Sequence, residues 1–326
     1  MSTYKEINGT GIEALSADPP NPQDGQVWYR SDLGTFKTQK ESVLGGWSTG
    51  GDLNTARNYL AGTGTQTAAL GFGGEGPPTT GATESYNGTS WTELNDLNTG
   101  RRRLAGTGTQ TAALGFGGSP YTALTESWNG SAWTEVNDLN TARDYNGEGA
   151  GTNTAAFGFG GYFFPSPTPP GILALTESWN GTNWTEVNDL NTVKFRHTGG
   201  GTQTSALAVG GESPSAVANT ESWNGTNWTE VNDLNTARLN IQGAGADNTN
   251  ALASGGGAGS YFALTESWNG TSWTEVNDLN IARTRFTGAG TNTVGLASGG
   301  ENASGVSGLT EEWNVPASVT QSITLE

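Results

Sequence analysis

Eighteen residues of this chain recur almost unchanged along its length, and this repetition limits the possible folds more than any other feature. The segment reads ESWNGSAWTEVNDLNTAR at 126–143, ESWNGTNWTEVNDLNTAR at 221–238 and ESWNGTSWTEVNDLNIAR at 266–283. Its second tryptophan returns every 42 to 51 residues, at Trp47, Trp91, Trp133, Trp184, Trp228 and Trp273. A period of this length predicts an array of similar units that bury their apolar faces against one another.

Each repeat contains four short runs that have the pattern of β-strands. In the first complete repeat they are LAGTGT (60–65), TAALGFGG (67–74), ATESYNG (82–88) and SWTEL (90–94), which are separated by turn residues. An Asn-Gly pair divides the last two runs and favours a tight hairpin, because both central residues of a type I′ turn need positive φ. We therefore predict four-stranded antiparallel sheets that form the blades of an all-β propeller.

The repeat resembles the kelch family of propellers. The shared pattern is a strand ending in Gly-Gly, a Glu-x-Tyr or Glu-x-Trp strand, a further Trp and an Arg that opens the next repeat. In residues 71–101 these parts are GFGG, TESYNG, W and DLNTGR, and the pattern recurs six times between residues 44 and 314. The resemblance implies a six-bladed propeller over residues 43–326, with blades that start near residues 57, 101, 143, 196, 238 and 283.

Two other propeller families fit the repeat less well. The WD type is disfavoured because its recurring His cannot occur in a chain with one His. The Asp-box of sialidase-like propellers is disfavoured because S-W-N-G-T-S-W is one residue too short and has Asn in place of Asp.

The last repeat lacks an outer strand of its own, since no tryptophan follows Trp313 at the usual distance. The segment VLGGWSTG at 43–50 contains Trp47, which precedes Arg57 by the same spacing that separates tryptophan and arginine in most other repeats. We predict that this segment closes the last blade and removes two open sheet edges. The alternative is SVTQSITLE at 318–326, which alternates like a strand. We expect residues 315–326 to form a C-terminal tail instead.

Residues 1–42 lack the repeat and are predicted to form a small β-hairpin module with a turn-rich linker, PPNPQDG. The stretch DGQVWYRSDLGTFK is similar to short modules near the N-termini of tailed-phage fibre and appendage proteins. The resemblance implies a virion protein that is assembled in the host cytoplasm and is multimeric in the particle. Residues 1–42 would then bind other tail proteins.

Composition disfavours several classes of function. The net charge of −17 opposes binding to nucleic acid or to anionic membrane surfaces, and no stretch is as long and apolar as a membrane span. The N-terminus lacks the apolar core of a secretory signal. The chain has no Cys and one His, which disfavours thiolate or His-ligated metal centres, copper-radical chemistry and a His-based catalytic triad. We expect no metal, no cofactor and no enzymatic activity.

Comparison of the repeats with one another separates a uniform part from a variable part. With the strands lettered a to d along each repeat, the a–b and c–d turns barely change, whereas the segment after each Gly pair and the residues after each Arg differ in every repeat. In an up-and-down sheet, the b–c loop and the d–a connection emerge on one face. We predict that this variable face binds the ligand, because loops on a rigid scaffold commonly carry function.

The candidate binding residues are aromatic, arginine and histidine side chains of these variable segments. Those of the b–c loops are Tyr121, Tyr162, Phe163, Phe164, Tyr261 and Phe262. Those expected around the channel mouth are Tyr59, Arg102, Arg103, Tyr145, Phe195, His197, Arg285 and Phe286. Exposed aromatic rings beside arginines suit stacking on sugars or contact with a protein loop.

Residues that recur in every repeat are assigned a structural role. The tryptophans are expected to pack between blades, and each recurring Glu is expected to pair with a recurring Arg rather than to act in catalysis. The arginines are Arg57, Arg101, Arg143, Arg196, Arg238 and Arg283, and the alternative in the fourth repeat is that Lys194 takes the place of the arginine. The segment E-V-N-D-L-N is expected to form a hydrogen-bonded turn rather than a Ca²⁺ site, and the NGT and NGS sequences are hairpin turns rather than glycan acceptors.

Together these features predict a non-enzymatic structural protein of a phage tail. Its variable face would contact a glycan or protein of the host surface, or a neighbouring virion protein. One alternative is a cellular kelch scaffold that binds only proteins. Another is a glycan-cleaving, sialidase-like propeller, for which the arginine run 101–103 is a weak match.

Overall fold

The computed structural model describes residues 12–19, 26–39, 45–76, 78–144, 149–163, 171–316 and 320–323. All regular secondary structure in these ranges is β-strand, and they contain no helix with the length and apolar character needed to cross a membrane. The chain divides into two compact units, one formed by Met1–Gly45 and Val315–Glu326 and one formed by Gly46–Asn314.

The strands are numbered in chain order. The smaller unit holds β1 (Ala14–Leu15), β2 (Val27–Arg30) and β3 (Thr35–Gln39), and β4 (Gly46–Thr49) begins the larger unit. Six four-stranded antiparallel sheets follow, one for each repeat. The first holds β5 (Ala61–Thr65), β6 (Ala68–Phe72), β7 (Thr83–Tyr86) and β8 (Trp91–Glu93). The second holds β9 (Ala105–Thr109), β10 (Ala112–Phe116), β11 (Thr125–Trp128) and β12 (Trp133–Val136).

The remaining sheets repeat this order. The third holds β13 (Ala150–Thr152), β14 (Ala155–Phe159), β15 (Thr176–Trp179) and β16 (Trp184–Val187). The fourth holds β17 (Thr198–Thr202), β18 (Ser205–Val209), β19 (Thr220–Trp223) and β20 (Trp228–Val231). The fifth holds β21 (Gln242–Asp247), β22 (Asn250–Ser254), β23 (Thr265–Trp268) and β24 (Trp273–Val276). The sixth holds β25 (Thr287–Gly290), β26 (Val294–Ser298) and β29 (Thr310–Asn314), with the hairpin β27 (Glu301–Asn302) and β28 (Gly305–Val306) in its b–c loop. Strand β30 (Thr320–Ile323) belongs to the smaller unit.

The six sheets follow one another around a central channel. The innermost strands β5, β9, β13, β17, β21 and β25 contact one another in this order, and β25 also contacts β5. The recurring tryptophan joins each sheet to the one before it. Trp133 Nε1 donates to Thr83 Oγ1 at 3.0 Å, and Trp91 Nε1 donates to Thr310 Oγ1 of the sixth sheet at 3.0 Å. This arrangement is a β-propeller.

Small residues in the two inner strands of a sheet make room for aromatic rings between the sheets. A Cβ added to Gly106 or Gly115 would lie 2.7 or 2.8 Å from ring atoms of Phe72. The Phe72 ring is fully buried, and its centroid lies 4.7 Å from that of Trp133. A chain with few aliphatic residues can therefore still form a packed core, because aromatic rings fill the space that glycine leaves.

The sixth sheet takes its outer strand from the segment before the first repeat. Strand β4 pairs antiparallel with β29, and Trp47 lies opposite Trp313 with ring centroids 5.5 Å apart. The Trp47 indole Nε1 donates to Thr265 Oγ1 of the fifth sheet at 3.1 Å. Residues 43 and 44 of the segment predicted to close the last blade lie outside the described residues.

The smaller unit is a four-stranded sheet. Strand β1 pairs parallel with β2, β2 pairs antiparallel with β3, and β3 pairs antiparallel with β30. Trp28 is fully buried, and its Nε1 donates to Asp18 Oδ1 at 3.0 Å. The prediction that the propeller domain spans residues 43–326 therefore needs correction, because this unit extends to Gly45 and also contains the C-terminal strand β30. The C-terminal strand supplies the partner that the edge of β3 would otherwise lack.

Candidate binding face at the channel mouth

Every repeat contains a buried ion pair between its recurring Glu and a basic residue. The N–O distances are 3.0 to 3.3 Å, in the pairs Arg57–Glu84, Arg101–Glu126, Arg143–Glu177, Lys194–Glu221, Arg238–Glu266 and Arg283–Glu311. In the fourth repeat the pair is formed by Lys194 and not by Arg196, whose guanidinium pairs with Glu212 instead. Burial lowers the pKa of Lys194, and Glu221 opposes this effect.

The second carboxylate oxygen of each recurring Glu accepts hydrogen bonds from an asparagine of the repeat. The backbone and side-chain nitrogens of Asn235 donate to Glu266 Oε2 at 2.8 and 2.7 Å. The nearby Asp278 Oδ1 accepts from the backbone of Thr265 at 3.0 Å. The recurring charged groups are thus used inside the scaffold, and the described residues contain no cluster of three or more His, Asp or Glu that could hold a metal ion.

The two variable segments of each repeat lie side by side. The residue after the basic residue forms an antiparallel bridge with the residue after the Gly pair, in the pairs Asn58–Glu75, Arg102–Ser119, Asp144–Tyr162, Phe195–Glu212, Leu239–Gly257 and Thr284–Glu301. Both segments leave the strand ends opposite the a–b and c–d turns, because the strands of each sheet are antiparallel. We call the face that carries these paired segments the loop face.

A ring of residues surrounds the mouth of the channel on the loop face. Each is the second residue after the basic one, and each has a φ between 52° and 61°: Tyr59, Arg103, Arg196, Asn240 and Arg285. Backbone hydrogen bonds join neighbouring sheets here, from Tyr59 N to Arg285 O at 2.8 Å and from Arg103 N to Tyr59 O at 2.9 Å. Asn240 N donates to Arg196 O at 2.7 Å in the same manner. We call these five residues the mouth ring.

The mouth ring surrounds a cavity of about 90 Å³. The guanidinium carbons of Arg103 and Arg285 lie 4.6 and 4.9 Å from the centroid of the Tyr59 ring. Tyr59 therefore orients two arginines by cation–π contact. Because these arginines cover its ring, Tyr59 is not the open stacking platform that the sequence predicted.

Two glutamates of the loop face pair with arginines of the mouth ring. Arg196 Nη1 lies 2.8 Å from Glu212 Oε2, and Arg285 Nη1 lies 2.5 Å from Glu301 Oε2. Glu301 also accepts hydrogen bonds from Asn58 Nδ2 at 3.1 Å and from the Tyr261 hydroxyl at 3.0 Å, so it joins the first, fifth and sixth sheets. Burial acts to raise the pKa of Glu301, but the hydrogen bonds from Arg285 and Tyr261 outweigh it and the pKa lies below its usual value.

Two further arginines of the second sheet also have acidic neighbours. Arg102 Nη1 contacts Glu75 Oε2 of the first sheet, and Arg103 Nη1 lies 3.6 Å from Asp144 Oδ2 of the third. The Asp144 carboxyl group is almost fully buried. Burial raises its pKa to about 6, although Arg103 acts in the opposite direction.

Three of the predicted binding residues are buried, so the prediction that they are exposed is wrong. His197 and Phe286 are each 4 % exposed and Phe195 is 6 % exposed. His197 and Phe286 directly follow the mouth ring, where Leu60, Leu104 and Ile241 also pack into the space between sheets. The Phe195 ring is covered by Tyr162 at 5.3 Å and by the Arg196 guanidinium at 4.8 Å.

The aromatic residues of the b–c loops are more accessible. Tyr261 is 37 % exposed, and Tyr121, Tyr162, Phe163 and Phe262 are half-buried. The rings of Tyr121 and Tyr162 lie 6.3 Å apart and link the second and third sheets. Phe164 and Tyr145, which the sequence also predicted, lie outside the described residues.

The sequence prediction missed Arg196, Asn240, Glu212 and Glu301 as residues of this face. The signal was present for Arg196, because aligning Lys194 with the recurring arginines places Arg196 in register with Arg103 and Arg285. The partners of the two glutamates depend on how neighbouring sheets meet, which the repeat pattern does not specify.

Replacing His197 by leucine should stabilise the protein, most strongly in mild acid. Neither ring nitrogen of His197 makes a hydrogen bond of good geometry, and Leu60 and Leu104 occupy the same place in other repeats. Burial, with Lys194 and Arg143 nearby, lowers the pKa of His197 to about 3. Unfolding below pH 6.5 therefore takes up a proton, so this histidine reduces stability as the pH falls from its unfolded pKa toward its folded pKa.

We expect H197L to raise the free energy of unfolding by about 1–2 kcal/mol at pH 7, since it removes unsatisfied polar atoms. The gain should be about 2 kcal/mol larger at pH 5. Urea denaturation at both pH values measures this, and L104H is the converse control, which should lose stability with the same pH dependence. An H197L gain that does not change with pH would show that the buried ring takes up its proton at the same pH as in the unfolded chain.

Comparisons with known proteins identify the fold and not the family. No protein-family model and no curated protein matches the chain. Among solved structures, that of YjhT is similar, with a TM-score of 0.64 and 14 % sequence identity, over 81 % of this chain and 96 % of that one. At this identity the likeness concerns the fold alone, and by fold this chain is a β-propeller similar to YjhT.

Proposed function

We propose that this chain is a non-enzymatic structural protein of a tailed-phage virion that binds the host surface through its loop face. The observation that carries the proposal is the separation of uniform and variable parts. The variable segments of the six repeats are paired side by side on the loop face, whereas the a–b and c–d turns of the opposite face have nearly the same sequence in each repeat. A scaffold that varies on one face suits recognition by that face.

The propeller in this proposal is of the kelch type and has six blades. The six sheets with recurring Gly pairs and buried Arg–Glu or Lys–Glu pairs support this assignment. The smaller unit is assigned to attachment, because the stretch that resembles phage appendage modules forms β2 and β3 of its sheet. Binding to a neighbouring virion protein would then use this unit.

Adsorption of the purified protein to host cells tests the proposal. We expect a variant with Tyr121→Ser and Tyr261→Ser to bind at least about tenfold less, because it removes two accessible aromatic rings of the loop face. The matched control is Thr182→Ala with Thr226→Ala, which changes two exposed residues of c–d turns on the opposite face. Equal loss in both variants, or loss in neither, would contradict recognition by the loop face.

A further inference from the structure

We propose that the mouth ring binds the oxyanion group of a small acidic ligand, namely a carboxylate, phosphate or sulfate group, at the axis of the propeller. This inference rests on the proposed function, since it places a ligand subsite on the loop face. It begins with the distribution of positive charge. Residues 46–314 contain ten Arg and Lys residues, and six of them form the buried pairs with the recurring Glu. The other four are Arg102, Arg103, Arg196 and Arg285, all of them on the loop face.

The positions of three of these arginines favour a ligand at the axis. Arg103, Arg196 and Arg285 belong to the second, fourth and sixth sheets, so they occupy alternate places around the mouth ring. They line one cavity and reach it from three sides. Guanidinium groups arranged in this way can each donate to a different oxygen of one oxyanion.

The backbone at the mouth ring is strained at residues that carry side chains. The five residues have left-handed φ values, which cost a residue with a Cβ conformational energy that glycine avoids. Among the described residues, glycine occupies 26 other positions of positive φ, including both members of all six Gly pairs, and Tyr121 of a b–c loop occupies one more. At the mouth ring the chain has Tyr, Arg, Arg, Asn and Arg instead. Strained residues gathered around one cavity are typical of binding sites.

Neighbouring groups hold the arginines in position. Each of the ion pairs with Asp144, Glu212 and Glu301 uses one terminal nitrogen, Nη1, of its arginine. A guanidinium has five N–H donors, so an ion pair of this kind is compatible with a further acceptor. Tyr59 fixes the planes of Arg103 and Arg285 by cation–π contact. Such support reduces the entropy that ligand binding would cost.

The size of the cavity limits what can enter. At roughly 10–15 Å³ for each water molecule, 90 Å³ holds a group of a few heavy atoms and not a folded chain. A carboxylate, phosphate or sulfate group is small enough for this volume, whether it is a free ion or a substituent of a sugar. The net charge of the whole chain is −17, so we attribute binding of an anion to direct hydrogen bonds from the arginines and not to long-range attraction.

Calorimetric titration of the full chain at low ionic strength tests the proposal with three probes: inorganic sulfate, glucuronic acid and neutral glucose. We expect glucuronic acid to bind, whether or not sulfate alone also binds. Glucose should bind at least tenfold more weakly than glucuronic acid. Binding of sulfate would show that the oxyanion suffices, and binding of glucuronic acid alone would show that the sugar contributes. Glucose binding equal to that of glucuronic acid, or no binding of either anion, would overturn the proposal.

Variants separate a specific site from general attraction. R196Q and R285Q should weaken glucuronic acid binding tenfold or more, and R285K should restore only part of it, because ammonium cannot match the geometry of guanidinium. K37Q removes the same charge from the smaller unit and should leave the affinity unchanged. Thermal melts establish that each variant is folded, and equal weakening by K37Q and R285Q would overturn the site.

This test and the adsorption test fail independently. Loss of adsorption in the Tyr121 and Tyr261 variant without any anion binding would reject the anion site and leave the loop face as the recognition surface. Anion binding by a protein that does not adsorb to host cells would reject the proposed function and leave the anion site.

Discussion

Replacing Arg238 by alanine should lower the free energy of unfolding by about 3–5 kcal/mol, because it leaves a buried carboxylate without its partner. Arg238 is completely buried, with Nη2 3.0 Å from Glu266 Oε1 and Nη1 2.7 Å from the carbonyl oxygen of Leu264. Loss of this side chain removes a charge pair and hydrogen bonds that no water replaces in a closed core. Urea denaturation followed by tryptophan fluorescence measures the change.

The chain itself provides the control for this substitution. Lys194 pairs with Glu221 at 3.3 Å in the fourth repeat, so a lysine is compatible with the same environment. We expect R238K to cost about 1–2 kcal/mol, since one ammonium replaces fewer hydrogen bonds than a guanidinium makes. A loss below 1 kcal/mol for R238A would show that the recurring pair does not stabilise the scaffold.

Deleting residues 43–50 should lower the melting temperature by roughly 10 °C and broaden the transition. The deletion removes β4, exposes Trp313 and breaks the hydrogen bond from Asn280 Nδ2 to the Trp47 carbonyl oxygen at 3.1 Å. A fully buried tryptophan side chain corresponds to about 3–5 kcal/mol, and we expect the half-buried Trp47 together with the lost pairing of β4 to approach this value. At roughly 2–4 °C for each kcal/mol in a domain of this size, this gives the expected shift. Calorimetry measures both the midpoint and the cooperativity.

Truncation after Pro316 is the matched control for this deletion. It removes β30, which pairs with β3 in the smaller unit, and should leave the main transition of the propeller in place. If the truncation lowers the melting temperature of the propeller as much as the deletion does, the expectation that β4 and not β30 stabilises the propeller is wrong.

Much of the scaffold could be predicted because the repeat supplies several copies of each signal. The Asn-Gly pair between Trp128 and Trp133 indicates the c–d hairpin, and those two residues are opposite each other in the structure. The predicted type I′ turn is wrong, because Gly130 has a positive φ and Asn129 does not, and four residues separate the paired tryptophans. The phase of Trp47 indicates its pairing with the last repeat. Lys194 is found where the recurring arginines predict a cation. Each of these features depends on local periodicity, which is written directly in the sequence.

The burial of individual side chains at the mouth could not be predicted in the same way. His197 and Phe286 follow residues of positive φ, and the regular alternation of side chains between two faces holds only along an extended strand. A residue of positive φ is normally glycine, so Arg196 and Arg285 give no sequence signal for this conformation. Similarly, the contact of Glu301 with Asn58 joins residues far apart in the chain, at the place where the last sheet meets the first.

Site-specific photo-cross-linking tests the central claim, that the loop face and not the repeated scaffold makes the functional contact. A photoreactive phenylalanine analogue would replace Tyr261, which is 37 % exposed on the loop face, or Thr226, which is exposed in a c–d turn of the opposite face. After irradiation with host cells, we predict cross-links to surface material from position 261 and none above background from position 226. Cross-links from position 226 alone, or equal yields from both positions, would contradict this account.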